Sequence, residues 1–314
     1  MNLRHLSVFH GIAKAGSVNA AARLLHTSQP AVSRELRTLE ERLGVLLFDR
    51  LPRGMRLTEA GKVLLDYAAR IFGLDEAAER AMRELSDLEG GELAIGASNT
   101  IGTYLLPAFV TSFHVRYPKV SLNLQIGNTQ EIVKGVLDSR FALGFIEGRI
   151  RDDAMEAREF RRDRIVAAVA PQHSLAKGRA LSVRALAESP SILREPGSGT
   201  REIVERAFAR HRLALHCGLQ INSSEALKRA AMAGGGVGWI SELCVVEELR
   251  SGRLVELKTA GLALERPLYT LKLRGRHLSR SALAFLEDFD EGPDAVDRHL
   301  MKGRPQGEKV RTNF

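Results

Sequence analysis

Residues 26–44 read "HTSQPAVSRELRTLEERLG", a Ser-Gln-Pro step running into a helix with leucines on one side and arginines on the other. At about 100° per residue, Val32, Leu36, Leu39 and Leu43 fall on one stripe, which is expected to pack inward. Pro30, Ser33, Arg34 and Arg37 fall on the opposite face, with Ser28 and Gln29 at the N-terminal tip. Thr27 or Ser28 can cap the helix, and a proline in its first turn costs little because the donors there have no intrahelical acceptor. Upstream, "LRHLSVFHGIAKA" carries Leu3, Leu6, Val8, Phe9, Ile12 and Ala13 at helical spacing and ends at Gly16. Ser17 then caps a short alanine-rich helix, "VNAAARLLH". Short helix, tight turn, longer helix is the helix-turn-helix pattern, in which the tip of the last helix enters the major groove. Glutamine can pair bidentately with adenine, serine with several base edges, and arginine with guanine or phosphate. The other reading of Arg34 and Arg37 is a merely solvated basic face.

Downstream, "VLLFDRLPRGMRLT" gives two short apolar segments around a turn marked by Pro52 and Gly54 and flanked by Arg50, Arg53 and Arg56. This predicts a hairpin wing whose basic tip meets the DNA backbone. Residues 1–58 hold nine Lys/Arg against four acids, a net of +5, whereas residues 59–90 are net −4. The whole chain is +8, so a basic head, an acidic connector and a mildly basic body make a modular layout and suggest an anionic partner for the head.

The stretch "FHGIAKAGSVNAAARLLHTSQPAVSRELRTLEERLGVLLFDRLPRGMRLTEAG" resembles the winged helix-turn-helix of LysR-type transcriptional regulators. The resemblance rests on the alanine-rich second helix, Ser-Gln-Pro-Ala-Val-Ser, Leu-Glu-x-x-Leu-Gly-x-x-Leu-Phe-x-Arg and Leu-Thr-x-Ala-Gly. It implies base or backbone contacts from Ser28, Gln29, Pro30, Ser33, Arg34 and Arg37, with Arg53 at the wing.

Thr58 can cap a long helix running to the Gly90-Gly91 break. Leu64, Tyr67, Ile71, Leu74, Ala78, Met82, Leu85 and Leu88 form a heptad-like seam along it. A rod with one apolar stripe needs a cover, either the chain's own body or a second copy. Self-pairing is the expectation, since a dimer lets two small heads reach half-sites about one helical turn of DNA apart. The resemblance agrees, and it implies a tetramer of two extended and two compact subunits.

From Glu92 onward strands and helices alternate, through "ELAIGAS", "VSLNLQIG", "FALGFIEG", "RIVAAVAP" and "GVGWIS", which predicts open α/β units with largely parallel sheets and ligands beyond strand C-termini. The resemblance implies two subdomains like those of periplasmic solute-binding proteins, residues 91–161 with 267–290 and residues 162–266, the chain crossing near Arg161–Arg162 and Arg266. Three strand-to-helix junctions, "GASNTIG" (96–102), "GNTQE" (127–131) and "REPGSGTRE" (194–202), are expected to face one cleft. Exposed N–H groups at helix starts make anion sites, so Ser98, Thr100, Thr129, Ser198, Thr200 and Arg201 are the candidate effector contacts. Taken singly, each reads as a helix cap; three junctions at one cleft, one of them carrying Arg201, bring the ligand reading level with that one. "EPGSGTRE" is similar to segments of family members that sense sulfur oxyanions or phosphorylated carbon metabolites.

"AGGGVGWIS" lacks the phosphate-binding lysine of a P-loop and reads as close backbone packing. Cys217 and Cys244 lie in apolar surroundings and are expected to be buried free thiols, a redox pair being the alternative. Residues 291–314 lose periodicity and predict a disordered tail. No metal-ligand spacing or nucleophile elbow is present, so neither a metal, a resident cofactor nor an enzyme is expected. With neither a leader segment nor a membrane span in the sequence, a cytoplasmic protein is expected. Its expected partners are double-stranded operator DNA, itself, a small anionic co-inducer and, as a further candidate, RNA polymerase. A solute-binding module and an enzyme using the α/β cleft are the rivals; the first lacks a leader, the second a nucleophile.

Overall fold

A computed structural model describes residues 2–51, 54–86, 91–148, 152–177, 180–259 and 261–291, so Arg53 of the wing, Leu88 of the seam and the tail from residue 292 lie outside the described residues. The chain divides into two compact units, Met1–Glu79 and Arg80–Phe314.

In the first unit, α1 (Leu3–Ala15), α2 (Val18–Leu24) and α3 (Gln29–Leu43) are each capped by a short polar side chain, Asn2, Ser17 and Ser28. Ser28 rather than Thr27 is the cap of α3, its hydroxyl accepting from Ala31 N–H at 3.4 Å. Leu6, Phe9, Ile12, Ala21, Val32, Leu36 and Leu39 form one core. Leu43, at the last turn of α3, is instead 39% exposed, and Leu3, at the first turn of α1, is 54% exposed, both at helix ends rather than over the core. The wing is an antiparallel hairpin of β1 (Phe48–Leu51) and β2 (Gly54–Leu57). It is docked by Met55 N–H donating to Gly16 O at 2.9 Å, and a Cβ on Gly54, whose φ is +105°, would lie 2.7 Å from that same oxygen.

Helix α4 (Glu59–Ser86) follows, its start fixed by Thr58, which donates to Leu46 O and accepts from Gly61 N–H. A Cβ at Gly61 would meet Leu47 O at 2.1 Å, so the helix start and the segment just before β1 touch backbone to backbone. The predicted seam splits in two. Leu64 and Ile71, with Leu65, Ala68 and Phe72, pack on the head's own core, while Val63, Tyr67, Leu74 and Met82 stay exposed.

The second unit is built on a nine-stranded sheet of order β4-β3-β5-β11-β6-β9-β7-β8, with β10 also on β6. Its strands are β3 (Gly91–Ser98), β4 (Val120–Gly127), β5 (Leu143–Glu147), β6 (Met155–Val169), β7 (Ser191–Leu193), β8 (Cys217–Gln220), β9 (Val237–Ser241), β10 (Val255–Glu256) and β11 (Glu265–Leu273). The helices are α5 (Leu106–Arg116), α6 (Thr129–Leu137), α7 (Val183–Glu188), α8 (Gly199–Arg210), α9 (Ser224–Met232), α10 (Val246–Arg250) and α11 (Arg280–Glu291). A π-turn, Ile101–Leu105, precedes α5.

Strands β3, β4 and β5 pair in parallel, as do β7, β8 and β9, but the centre of the sheet is antiparallel, so the parallel expectation holds only in the two wings. The long strand β6 lies against β11 from Met155 to Arg164 and against β9 from Ile165 to Ala168. One core gathers Phe113, Phe145, Phe285 and Phe289 around β3 and β5, and another gathers Phe208 and Trp239 around β9. Gly236, at φ +130°, brings its Cα so near Pro190 that a Cβ would sit 2.4 Å from Pro190 O, the close packing expected of the glycine run.

Candidate functional site

Two surfaces carry the chemistry. On the head, Ser28, Gln29, Pro30, Arg34 and Arg37 are all exposed and Ser33 is half-buried. The core leucines of α3 turn the opposite face inward, so the face pattern read from the sequence is the one that forms. Arg37 Nε donates to Glu41 Oε1 at 2.7 Å one turn along, and Arg56 on the wing pairs with Asp49 at 3.2 Å. Such solvated pairs contribute little stability, but they orient the guanidinium groups.

In the second unit the three junctions meet. Asn99 Nδ2 donates to Gly127 O at 3.0 Å, Gln130 N–H to Gly197 O at 3.2 Å, and Gly199 N–H to the Thr129 hydroxyl at 3.2 Å. Thr129 in turn donates to Glu147 O at 3.3 Å. Ser98 is fully buried and donates to Phe145 O at 3.3 Å.

Beneath them lies Arg266, fully buried, which no reading of the sequence placed in the site. It pairs with Asp163 at 2.7 Å, its register partner across β6 and β11, and donates to the hydroxyls of Thr200 at 2.7 Å and Thr100 at 3.2 Å. Asp163 also accepts from Ser241 at 2.8 Å. Glu147, the last residue of β5, accepts Thr100 N–H at 3.0 Å and lies 3.9 Å from Arg266. This cluster holds one positive and two negative charges, every one at most 5% exposed. Buried charge survives only when paired and hydrogen-bonded. Among the described residues the only buried side-chain polar atom without a partner is His5 Nδ1, so the cluster is fully satisfied.

The other candidates are placed as follows. Ser198 precedes α8 and is 4% exposed, with no cap bond from its hydroxyl. Arg201 donates to Glu205, to Arg194 O and to Gln220. Arg194, 3% exposed, grips Glu195 and the Ser224 hydroxyl. A cavity of about 760 Å³ opens beside the junctions, lined among others by Asn99, Asn128, Glu131, Glu195, Gln220 and Asn222. A second cavity of about 730 Å³, lined by residues such as Met155, Leu271 and Lys272, takes nothing from the junctions.

Near the same junctions, Tyr104 in the π-turn donates to Glu225 at 2.6 Å and accepts from Lys228, itself paired with Glu225 and Glu248. Burial raises the phenol's pKa, the Glu225 bond adding to it, while bonds from Lys228 and Tyr104 hold Glu225 down at about 2. Cys244 is buried, and that burial pushes its thiol up to about 12. Cys217 is exposed, contrary to expectation, because it lies on β8, the last strand of the sheet, all four residues of which are exposed. The missed charges had a legible trace. Glu147 is a lone acid closing an otherwise apolar strand, and Arg266 stands next to the Pro267 that starts another apolar run.

Among the described residues there is no group of His, Cys, Asp and Glu that could hold a metal ion, and no helix is long and apolar enough to cross a membrane.

A helix-turn-helix head and an α/β body with polar junctions at its centre define a ligand-responsive DNA-binding regulator. Residues 3–62 match the bacterial regulatory helix-turn-helix protein, lysR family, and residues 86–292 match the LysR substrate binding domain. The chain belongs to the LysR family of transcriptional regulators: it is a DNA-binding regulator with an effector-binding domain, and not an enzyme. It is 36% identical over 290 residues to an uncharacterized HTH-type transcriptional regulator, YeiE, of Escherichia coli K12, spanning 92% of this chain and 97% of that protein. The fold is similar to full-length CbnR complexed with its target DNA, at 25% identity and a TM-score of 0.63 over 92% of this chain and 98% of that one. It is also similar to the Synechocystis PCC6803 CcmR regulatory domain in complex with 2-PG, at 25% identity and a TM-score of 0.59 over 64% of this chain and 96% of that one.

Proposed function

We propose that the effector of this regulator is a small anion taken up at the junctions of residues 96–102, 127–131 and 194–202, and that its binding alters the hold of the head on operator DNA. The observation that carries this reading is the convergence of two of the junctions on one buried guanidinium, Arg266, through Thr100 and Thr200, with the third junction bonded to the 194–202 stretch through Thr129. The bound 2-PG of the similar CcmR domain is in keeping with a small-molecule effector. In this reading Ser98, Thr100, Thr129, Ser198, Thr200 and Arg201 are the effector contacts, and residues 91–161 with 267–290 move against residues 162–266. Ser28, Gln29, Pro30, Ser33, Arg34 and Arg37, with Arg53, meet the DNA, in line with the exposure of Ser28, Gln29, Pro30, Arg34 and Arg37. Residues 59–90 pair two subunits through Tyr67, Leu74 and Met82, and two such dimers make a tetramer that works in the cytoplasm and meets RNA polymerase at the promoter.

The effector arm is tested by a thermal-shift screen of sulfur oxyanions and phosphorylated metabolites, since a ligand that binds only the folded state raises its apparent stability. A hit lost in Thr100→Val supports the site; hits unchanged by that substitution refute it. The DNA arm is tested by gel shift at moderate salt, where equal binding of the protein's own promoter region and random DNA would refute sequence reading.

A further inference from the structure

The place where an effector's acid group would sit is already filled from within. Glu147 Oε1 takes the Thr100 N–H at 3.0 Å and its other oxygen lies 3.9 Å from Arg266 Nη1, so one carboxylate stands between a backbone donor and a buried guanidinium. Its main chain is as engaged as its side chain. The Glu147 carbonyl accepts the Thr129 hydroxyl at 3.3 Å, and Gly199 approaches so closely that a Cβ there would lie 2.4 Å from that oxygen. A single residue therefore touches all three junctions. Arg266 does not need it for neutrality, because Asp163 alone balances the guanidinium through a close double contact. Glu147 is the second and looser negative charge, and a further anion brought beside it would face like-charge repulsion in a buried setting.

We propose that the Glu147 carboxylate is a built-in stand-in for the effector anion, and that an effector binds by displacing it from Thr100 and Arg266. This rests on the reading that the effector is an anion bound at these junctions. Displacement exchanges one anionic acceptor for another at the same donors, so Thr100 N–H and Arg266 stay paired while the carboxylate's tie to the 96–102 junction is released.

The test titrates the full chain with inorganic sulfate and with phosphate, following the thermal midpoint, for wild type, Glu147→Gln, and each with Thr200→Val added. Glu147→Gln keeps an acceptor for Thr100 N–H and removes the charge, so at least roughly tenfold tighter binding of one or both anions is expected, with the gain lost when Thr200→Val is added. Equal or weaker binding by Glu147→Gln overturns the assignment. If wild type and Glu147→Gln bind equally and Thr200→Val removes binding from both, the effector site stands and the stand-in role of Glu147 falls. If neither protein binds either anion, the anionic reading of the effector falls, and the stand-in with it. Should Glu147→Gln fail to melt cooperatively, Glu147→Asp is titrated in its place. Its carboxylate is withdrawn by one methylene from Thr100, so tighter binding than wild type is expected, and equal or weaker binding is again the refuting result.

Discussion

Arg266 is a fully buried guanidinium whose partners come from three separate stretches of chain, Asp163 on β6, Thr100 before the π-turn and Thr200 in α8. Removing one partner of a buried pair leaves the other charge unpaired, which costs about 3–5 kcal/mol, whereas replacing both by apolar groups costs far less. Arg266→Met is therefore expected to lower the urea-unfolding free energy by about that amount, and adding Asp163→Leu to restore part of it. An additive double mutant would show that the pair is not coupled. On the head, Gln29→Ala is expected to relax discrimination between operator variants by about 1–3 kcal/mol in competition binding, if Gln29 reads a base edge as proposed. The thiols separate by exposure. A thiol-disulfide reagent is expected to titrate Cys217 in the native protein and Cys244 only after denaturant is added, since the buried thiol is inaccessible and held protonated.

Among elements, α3 was readable because its periodicity, cap and proline agree with its packing. Its end was not, since Leu43 shares the stripe of Leu39 yet stays 39% exposed at the last turn. The first half of β6, "MEAREFRRD", hid for a different reason. Its side chains are mostly half-buried or exposed on a ribbon with β11, so charges stand where a strand buried on both faces would be apolar. The α4 seam was legible as a stripe but not as two, because periodicity gives a face without naming what covers it. The junctions were readable as helix starts, but the ion cluster beneath them depends on residues 103 positions apart, Asp163 and Arg266, which no local pattern joins. The exposed half of α4 yields a test. Tyr67→Glu with Leu74→Glu is expected to shift sedimentation toward smaller species, and an unchanged distribution would place self-association elsewhere. Gly54→Ala would force a Cβ against Gly16 O at a φ of +105°, so the wing should loosen and all DNA sequences should be bound more weakly alike.

For the molecule as a whole, an effector that changes DNA affinity must have its own affinity changed by DNA in the same ratio. Isothermal titration of effector into free and operator-bound protein checks this reciprocity. Acid provides a second global probe. Glu225 titrates at about 2 in the folded chain against 4.5 ordinarily, so the unfolded chain binds its proton first. Its contribution is in place above pH 4.5 and is lost as pH falls toward 2. The melting-temperature gap between wild type and Glu225→Gln should therefore narrow over that window, and a gap independent of pH would exclude the Tyr104–Glu225–Lys228 bridge as its source.

The ion cluster around Arg266 also has a thermal signature. The hydration that its three charges gave up becomes less favourable as temperature rises, while the gain from apolar contact levels off. Warming therefore shifts the balance of the effector domain toward the arrangement that keeps Arg266, Asp163 and Glu147 together and dry, and cooling shifts it toward one that lets water in. Any opening that wets these three charges without an anion taking their place is therefore expected to grow rarer as the protein warms.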